Sequence, residues 1–292
     1  MRPALILIAL AAGFYFYDIQ SQPSPDFTAS SPSPKSRPDT KPDPKPDPKP
    51  EDINPDTILE LMPDTLKKTN PTVDKNYLMG RFDPAQDKRF AKISPPLSVS
   101  TMYIRKEALE AYKEMHAAAK KDGITFKMTS ATRNFDRQKG IWDAKWNSKK
   151  PVDGKMLPPL AQLPGKERAL AILRWNAMPG TSRHHWGTDI DMNSVDPSYW
   201  AQGKGKKEYD WLLANASKYG FCQTYSTIGA NRPTGYQEEK WHWSYMPVAS
   251  ELTRLYGQMI KDEDISGFPG SETAVEIGVV KKYALGINPA CK

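Results

Sequence analysis

The prolines of this chain are concentrated near its beginning, which limits where a packed domain can form. Eleven of the 27 prolines lie within residues 21–56, and residues 41–49 alternate proline with Lys or Asp. Proline lacks a backbone donor and disfavours helix in the residue before it, so this segment should stay close to polyproline II and remain solvated. At about 3.1 Å per residue it would extend to roughly 100 Å. We interpret residues 21–56 as a disordered spacer, followed by one domain over residues 57–292.

A short apolar run precedes the spacer. The basic start Met1-Arg2 leads into an apolar stretch over residues 4–17. This length fits the hydrophobic region of a secretory signal peptide better than a membrane-spanning helix, which needs about 20 residues. No clear small-residue cleavage site follows, so residues 1–20 are interpreted as a signal peptide or an uncleaved membrane anchor. Both interpretations predict export to the periplasm or cell envelope, with membrane contact only through an uncleaved segment.

The chain has only two cysteines, Cys222 and Cys291. Two cysteines exclude a disulfide-dense scaffold and any multi-cysteine zinc finger. In an oxidising compartment such a pair is expected to form a disulfide, here joining the end of the chain to the core. The alternative is two unrelated buried thiols.

The domain alternates between helical and strand patterns. In residues 107–121 the apolar positions form one helical stripe, and Gly123 follows where a helix terminator belongs. Alternation over residues 124–129 predicts a strand. The order of elements indicates an α+β fold with a small, mostly antiparallel sheet flanked by helices. Further helices are predicted at 136–146, 166–175, 208–219, 251–260 and 273–283, and further strands at 188–192, 221–225 and 240–245.

Chemically reactive side chains fall into two short segments, residues 182–191 and 238–243. They hold three of the four histidines, together with several carboxylates. A catalytic zinc needs three protein ligands and an open position for water, and mixed imidazole and carboxylate sets meet that need. His184, Asp191 and His242 make such a set, between a loop motif and a strand motif. In a strand over 240–245, neighbouring tryptophans face away from His242 and leave its ring free to enter the site.

Each residue also has an ordinary structural interpretation. Asp189 and Asp191 could be solvated acids at a strand end, and Glu238 with Glu239 could form a charged turn. The tryptophans nearby could belong to the core, and His116 is interpreted as a core or surface residue of its helix. The concentration of histidines in two acid-rich segments favours a metal site over these separate interpretations.

A family resemblance enters through these motifs. Ser182-Arg-His184-His-Trp-Gly187-Thr-Asp-Ile-Asp191 resembles the Ser-x-His-x-x-Gly-x-x-x-Asp signature of the VanY-like zinc D-alanyl-D-alanine carboxypeptidases. Glu239-Lys-Trp-His242-Trp is similar to the Glu-x-Trp-His-aromatic motif of that family. Residues 130–138, with Arg133 and Gln138, look like its Ser-x-x-Arg…Gln segment. The resemblance covers roughly residues 103–245, which we take as the catalytic core between an N-terminal extension (57–102) and a C-terminal accessory layer (246–292).

The resemblance implies roles for particular residues. His184, Asp191 and His242 would bind Zn²⁺ and Glu239 would be the general base. Arg133 would stabilise the scissile carbonyl or bind the substrate carboxylate. Two departures stand out. Asp189 stands where the family commonly has a small residue, and in a strand it would share a face with Asp191, so it could compete as a ligand or orient one. His185 directly follows His184, which leaves two candidate imidazoles, although the spacing to Gly187 favours His184. Ser182 and Gln138, with Arg133, would contact the substrate.

The expected function is hydrolysis of the terminal D-alanyl-D-alanine bond of peptidoglycan stem peptides by a monomer. An L,D-carboxypeptidase or a peptidoglycan endopeptidase on the same site is the alternative enzyme. A non-catalytic zinc module that binds anionic wall polymers is a third possibility, although it would have no use for Glu239. Nucleic acid is not an expected partner, because the protein is interpreted as exported and the domain has no long Lys/Arg block.

Overall fold

The computed structural model describes residues 73–159 and 161–292. The predicted signal peptide or anchor, the spacer and the first part of the N-terminal extension lie outside the described residues. Within the described ranges, no helix combines the length and apolarity needed to cross a membrane.

The strands of the described residues form two antiparallel sheets. The smaller sheet pairs two strands near the start of the described region, and the larger sheet has the strand order β3-β4-β6-β5. This arrangement, with helices around a small antiparallel sheet, confirms the predicted α+β fold class. The strands are β1 (Phe90–Ile93), β2 (Met102–Arg105), β3 (Met128–Ser130), β4 (Asp189–Met192), β5 (Phe221–Gln223) and β6 (His242–Tyr245).

Each of the six predicted helices overlaps an observed one, with shifts of up to about five residues at the ends, and the short helix Lys75–Leu78 was not predicted. The longest one buries the predicted apolar stripe and stops before Gly123, whose φ of 74° places it in the left-handed region. The side chain of Asn134 caps another by accepting from the backbone N–H of Arg137. The helices are α1 (Lys75–Leu78), α2 (Lys106–Lys121), α3 (Phe135–Trp146), α4 (Gly165–Leu173), α5 (Gly203–Asn215), α6 (Met246–Met259) and α7 (Ala274–Ile277).

Two sequence predictions were wrong in extent. Of the strand predicted over 124–129, only the last two residues belong to β3. Lys127, just before β3, donates its backbone N–H to the side-chain oxygen of Asn193 at 2.7 Å instead of to a neighbouring strand. The helix predicted over 273–283 is broken, because Gly278 adopts a left-handed φ of 72° and ends α7.

The larger sheet has one apolar and one polar face, as strand alternation requires. Ile190 pairs with Trp243, and both are buried in the core cluster that α2 and α5 complete. Asp189, Asp191 and His242 alternate with them and lie on the opposite face. The central strands therefore bury their apolar residues on one side and gather their polar residues on the other.

The C-terminal residues pack against the core and are linked to β5. Cys222 and Cys291 form a disulfide with a Cα–Cα distance of 5.7 Å, as predicted. Asn288 donates its backbone N–H to the carbonyl of Thr224 at 2.8 Å, just beyond β5. These contacts secure the end of the chain beside the strand next to β6.

Candidate metal centre

The register of β4 and β6 brings two candidate metal ligands together. Asp191 lies directly opposite His242 in the antiparallel pair. Their side chains share a face, and the distance from His242 Nδ1 to Asp191 Oδ1 is 3.3 Å. Residues more than 50 positions apart in sequence are thereby fixed next to each other by backbone hydrogen bonds.

His184 reaches the same place from a 3₁₀ turn that spans Arg183–Trp186. The turn ends at Gly187, whose φ is 76° and where a Cβ atom would lie 2.3 Å from the ring of Phe90. Glycine is therefore required at this position both for the backbone conformation and for the close packing. His184 Nδ1 lies 2.8 Å from the carbonyl oxygen of Ala131. Because a carbonyl can only accept, Nδ1 carries the hydrogen and Nε2 is left with a free electron pair, 3.3 Å from Asp191 Oδ2.

The three residues fit a divalent metal. One potential ligand atom from each of His184, Asp191 and His242 lies within 4.8 Å of the other two, and all three residues are buried. His184 Nε2 and Asp191 Oδ1 are buried and have no hydrogen-bond partner among residues 73–159 and 161–292. Buried polar atoms are rarely left unpaired, because their lost hydration costs about 1–3 kcal/mol. A cation bound between these atoms would satisfy both, and two imidazoles with one carboxylate form a donor set that suits Zn²⁺.

Glu239 lies beside this cluster. A tight turn links it to His242, whose backbone N–H donates to the Glu239 carbonyl, and Glu239 Oε2 lies 3.2 Å from His242 Nδ1. Burial raises the pKa of the Glu239 carboxyl above its ordinary value, with help from the negative charge of Asp191 and against the opposing effects of His242 and Arg133. A carboxyl with a raised pKa next to a metal site is suited to accept and return a proton.

The pKa values of the two histidines of the cluster are shifted in opposite directions in the metal-free protein. Burial lowers the pKa of His184 to about 4, and the positive charge of Arg133 adds to the effect. Burial also disfavours the charged form of His242, but the neighbouring carboxylates of Asp189, Asp191 and Glu239 raise its pKa well above the ordinary value. Three carboxylates therefore surround His242, and its proton balances part of their negative charge in the metal-free protein.

The ring of His185 makes its hydrogen bonds outside the metal cluster. His185 Nδ1 donates to the carbonyl of Arg133 at 2.6 Å, and its Nε2 accepts the backbone N–H of Gly180 at 3.0 Å. Both ring nitrogens are therefore occupied, and His185 does not join the metal cluster. The backbone N–H of Arg133 also donates to the carbonyl of His184, so the histidine pair fixes the arginine next to the site.

A cavity of about 690 Å³ opens onto the cluster. Arg133, Asp191 and Glu239 line its polar end. Trp175 and Trp241 form an aromatic wall, stacked with ring centroids 5.9 Å apart. The remaining wall residues, which carry no sequence motif and were not predicted, include Ile141, Lys145, Asp153, Asn176, Val195 and Pro197.

Two predicted substrate contacts lie away from this cavity. Gln138 is 1% exposed and donates its side-chain amide to the carbonyl of Ala177 at 2.8 Å. Ser182 is also buried, directly before the 3₁₀ turn that carries His184. Neither residue is among those that line the cavity. Their role in substrate binding therefore stays a prediction.

Comparisons with known proteins place this site in a family context. The chain is 30% identical over 224 residues to the protein named "Putative carboxypeptidase YodJ" of Bacillus subtilis, covering 73% of this chain and 66% of the relative. It is 27% identical over 151 residues to a D-alanyl-D-alanine carboxypeptidase of Enterococcus faecalis, covering 50% of this chain and 49% of the relative. The chain thus spans slightly less than two thirds of the first relative and about half of the second.

Solved structures show weaker overall likeness. A mutant of the vancomycin-resistance D,D-pentapeptidase VanY in complex with Zn(II) is 28% identical, with a TM-score of 0.42, over 59% of this chain and 86% of that one. The LD-carboxypeptidase LdcB is 26% identical, with a TM-score of 0.43, over 68% of this chain and 80% of that one. We base the assignment on sequence instead: the profile described as VanY, D-alanyl-D-alanine carboxypeptidase, matches residues 101–248, just over half of the chain, with every residue of the metal cluster inside. The chain therefore belongs to the VanY family of D-alanyl-D-alanine carboxypeptidases.

Proposed function

We propose that this protein is an exported zinc carboxypeptidase that removes the terminal D-alanine from peptidoglycan stem peptides ending in D-alanyl-D-alanine. The observation that carries the proposal is a pair of buried atoms beside Glu239, His184 Nε2 and Asp191 Oδ1, that find no hydrogen-bond partner in the part of the chain that the structure describes. Family membership supplies the reaction class, and the cavity supplies a place for the substrate.

In this proposal His184 Nε2, the Asp191 carboxylate and His242 Nδ1 hold the metal. When bound there, zinc would supply Lewis-acid chemistry, making the attacking water more acidic and polarising the peptide carbonyl. The protein contributes the position of each ligand, since two of them lie on paired strands and the third on a turn closed by hydrogen bonds.

Glu239 is the proposed general base and acid. Its carboxylate takes a proton from the attacking water and later gives it to the amine of the departing D-alanine. The raised pKa of this buried carboxyl brings it closer to neutrality, where a group can both accept and donate a proton effectively. A protein that only bound the cell wall would gain nothing from a buried carboxylate at this position.

Arg133 is the proposed anchor for negative charge on the substrate. Its guanidinium lines the cavity near Glu239, and its Nε lacks a hydrogen-bond partner in the described residues. The planar guanidinium can donate two parallel hydrogen bonds to a carboxylate or stabilise the oxyanion of the tetrahedral intermediate. A contact with the free C-terminal carboxylate would explain preference for the last peptide bond.

The test uses the full chain and defined muropeptides, with products identified by mass. We expect a pentapeptide ending in D-alanyl-D-alanine to lose one alanine, a chelator to abolish this loss, and Zn²⁺ to restore it. Loss of alanine only from a tetrapeptide would indicate an L,D-carboxypeptidase, and cleavage of a cross-linked dimer would indicate an endopeptidase. A His116→Ala variant is a matched control, because His116 lies on α2 outside the metal cluster and should leave turnover unchanged.

Full activity in a metal-free preparation would contradict the proposed mechanism. Unchanged peptides in every reaction, with Zn²⁺ bound, would instead favour the non-catalytic module.

A further inference from the structure

A second carboxylate, Asp189, contacts His242 at the ring nitrogen that faces away from Asp191. It lies two residues before Asp191 on the same face of β4, opposite Ser244 of β6. Its Oδ2 lies 2.8 Å from Nε2 of His242. Asp189 is fully buried, with an exposure of 0%.

Both oxygens of Asp189 are already engaged by donors from the protein. Oδ2 accepts from Arg183 Nε at 3.1 Å, in addition to its contact with His242, and Thr224 Oγ1 lies 3.5 Å away. Oδ1 accepts from the hydroxyls of Ser244 at 2.6 Å and Thr188 at 2.8 Å. Asp191 Oδ1, by contrast, has no hydrogen-bond partner among the described residues. Asp189 is therefore a saturated carboxylate and not a fourth metal ligand.

The contact with Asp189 decides which nitrogen of His242 faces the cluster. A carboxylate accepts only, so Nε2 must carry the hydrogen in this bond. Nδ1, on the other side of the ring, is then the nitrogen available to a metal, and it faces Asp191 and Glu239 at 3.3 Å and 3.2 Å. The same bond also fixes the angle of the ring.

Asp189 is itself held in place by Arg183. The guanidinium donates Nη2 to Ser244 Oγ at 3.0 Å and Nη1 to Thr253 Oγ1 of α6 at 2.7 Å. It also lies over the ring of Trp186, 4.5 Å from the ring centre. A buried arginine thus neutralises Asp189 and ties it to a helix of the accessory layer.

We propose that Asp189 is a positioning residue that holds Nε2–H of His242 and so presents Nδ1 to the metal. This inference rests on the metal site of the proposed function. It adds a role for an aspartate that stands where the resemblance leads us to expect a small residue. The competing explanation is that Asp189 merely pairs with Arg183 in the core and contributes stability alone.

The experiment compares Asp189→Asn with Ser244→Ala in the full chain. Ser244→Ala removes hydrogen bonds to both Asp189 and Arg183 but keeps the contact between Asp189 and His242. It therefore controls for the stability lost when the buried pair of Asp189 and Arg183 is disturbed. Zn²⁺ affinity is measured by competition with a chromophoric chelator. We expect Asp189→Asn to weaken binding about 10- to 100-fold, the usual effect of removing such a partner, and Ser244→Ala to leave binding within a few-fold of wild type.

Unchanged affinity in folded Asp189→Asn, or an equal loss in Ser244→Ala, would overturn the proposal. A wild-type protein that binds no Zn²⁺ would refute the proposed function itself, so the two failures are distinguishable.

A second measurement does not depend on a folded variant. With ¹⁵N-labelled histidine the chain gives only four ring systems. In wild-type protein loaded with Zn²⁺, we expect His242 to show a protonated, slowly exchanging Nε2 and an unprotonated Nδ1. In metal-free protein, the same Nε2–H signal should persist. A His242 ring with its hydrogen on Nδ1 and none on Nε2 would overturn the proposal.

Discussion

Buried carboxylates lie on both sides of the His242 ring, but they differ in how far the protein satisfies them with hydrogen bonds. On the open side, which we define as His184, Asp191 and Glu239, the carboxylates face the cavity, and His184 Nε2 and Asp191 Oδ1 lack a hydrogen-bond partner within the described ranges. On the closed side, defined as Asp189, Arg183, Ser244 and Thr253, Arg183 and Ser244 donate to Asp189, and Thr253 holds the other end of the guanidinium. Asp189 and Asp191 share a strand face and are both buried, so residue type and burial do not distinguish them.

The difference lies in how the buried charge is balanced. A buried carboxylate is costly unless it is paired and hydrogen-bonded. The closed side provides that balance within the protein, through a fixed arginine. The open side leaves part of it to a bound cation, and this incomplete pairing makes it a site for chemistry. The following predictions test that distinction, from the largest expected effect to the smallest.

Removing a ligand from the open side should have the largest effect. Asp191→Ala deletes one of the three candidate ligands, and metal catalysis contributes several kcal/mol, so we expect a loss in kcat/KM of at least about 10³-fold. Bound zinc should fall in the same preparation, as measured by atomic absorption. Asp196→Ala is the control, because this aspartate lines the cavity but lies outside the metal cluster. Retention of both zinc and activity in Asp191→Ala would remove Asp191 from the site.

Replacing the proposed base should lower turnover without removing the metal. Glu239→Ala is expected to lower kcat by about 10²- to 10⁴-fold, the usual range for general acid–base catalysis, while zinc content stays close to wild type. Glu238→Ala is the matched control, since this neighbouring glutamate accepts from Thr227 instead of facing His242. Wild-type turnover in Glu239→Ala would assign the base to another residue.

Breaking the closed side should appear first as lost stability. Arg183→Met leaves Asp189 buried without its guanidinium, and breaking such a pair costs about 3–5 kcal/mol. The free energy of unfolding is measured by denaturant titration of the metal-free protein, because bound metal would add its own stabilisation. Arg254→Met on the exposed face of α6 should cost less than about 1 kcal/mol. A similar small loss for Arg183→Met would show that the closed side does not need its charge balanced.

The smallest loss of stability is expected for a surface ion pair that belongs to neither the open side nor the closed side. Asp264 accepts from Lys75 Nζ at 2.8 Å, with Lys75 half exposed. Partial burial would raise the pKa of Asp264, but the hydrogen bonds from Lys75 and Lys261 lower it below the ordinary value. A lowered pKa stabilises the folded state above the unfolded pKa of about 3.9, and the contribution disappears as pH falls through the folded pKa. We expect Asp264→Asn to cost at most about 0.5 kcal/mol near pH 6 and nothing near pH 2 in denaturant titrations. A larger cost that persists at low pH would mean that the pair acts through packing.

The sequence predicted the open side better than the closed side. Motif spacing identified His184, Asp191 and His242, and the structure brings them together because Asp191 is registered opposite His242. The spacing to Gly187 favoured His184 over His185, in agreement with the engagement of both His185 nitrogens elsewhere. For Asp189 the sequence left open whether it competes as a ligand or orients one, because the choice depends on Arg183, Ser244 and Thr253 meeting in space.

Element type was easier to predict than element length. Helix α2 follows from its apolar stripe alone, whereas the shortening of β3 depends on the side chain of Asn193, more than 60 residues away. The cavity wall around Trp175 and Asp153 was missed because it is assembled from separate loops with no shared motif. Long-range contacts of this kind leave no local pattern in the sequence.

Anomalous diffraction at the zinc edge, from crystals of the full chain loaded with Zn²⁺, tests the central claim most directly. We predict one strong peak within about 2.0–2.2 Å of His184 Nε2, an Asp191 carboxylate oxygen and His242 Nδ1. Asp189 should remain outside that distance, still bonded to Nε2 of His242. A peak that excludes His242, a zinc bound to Asp189, or no peak at the cluster in zinc-loaded crystals would contradict the account.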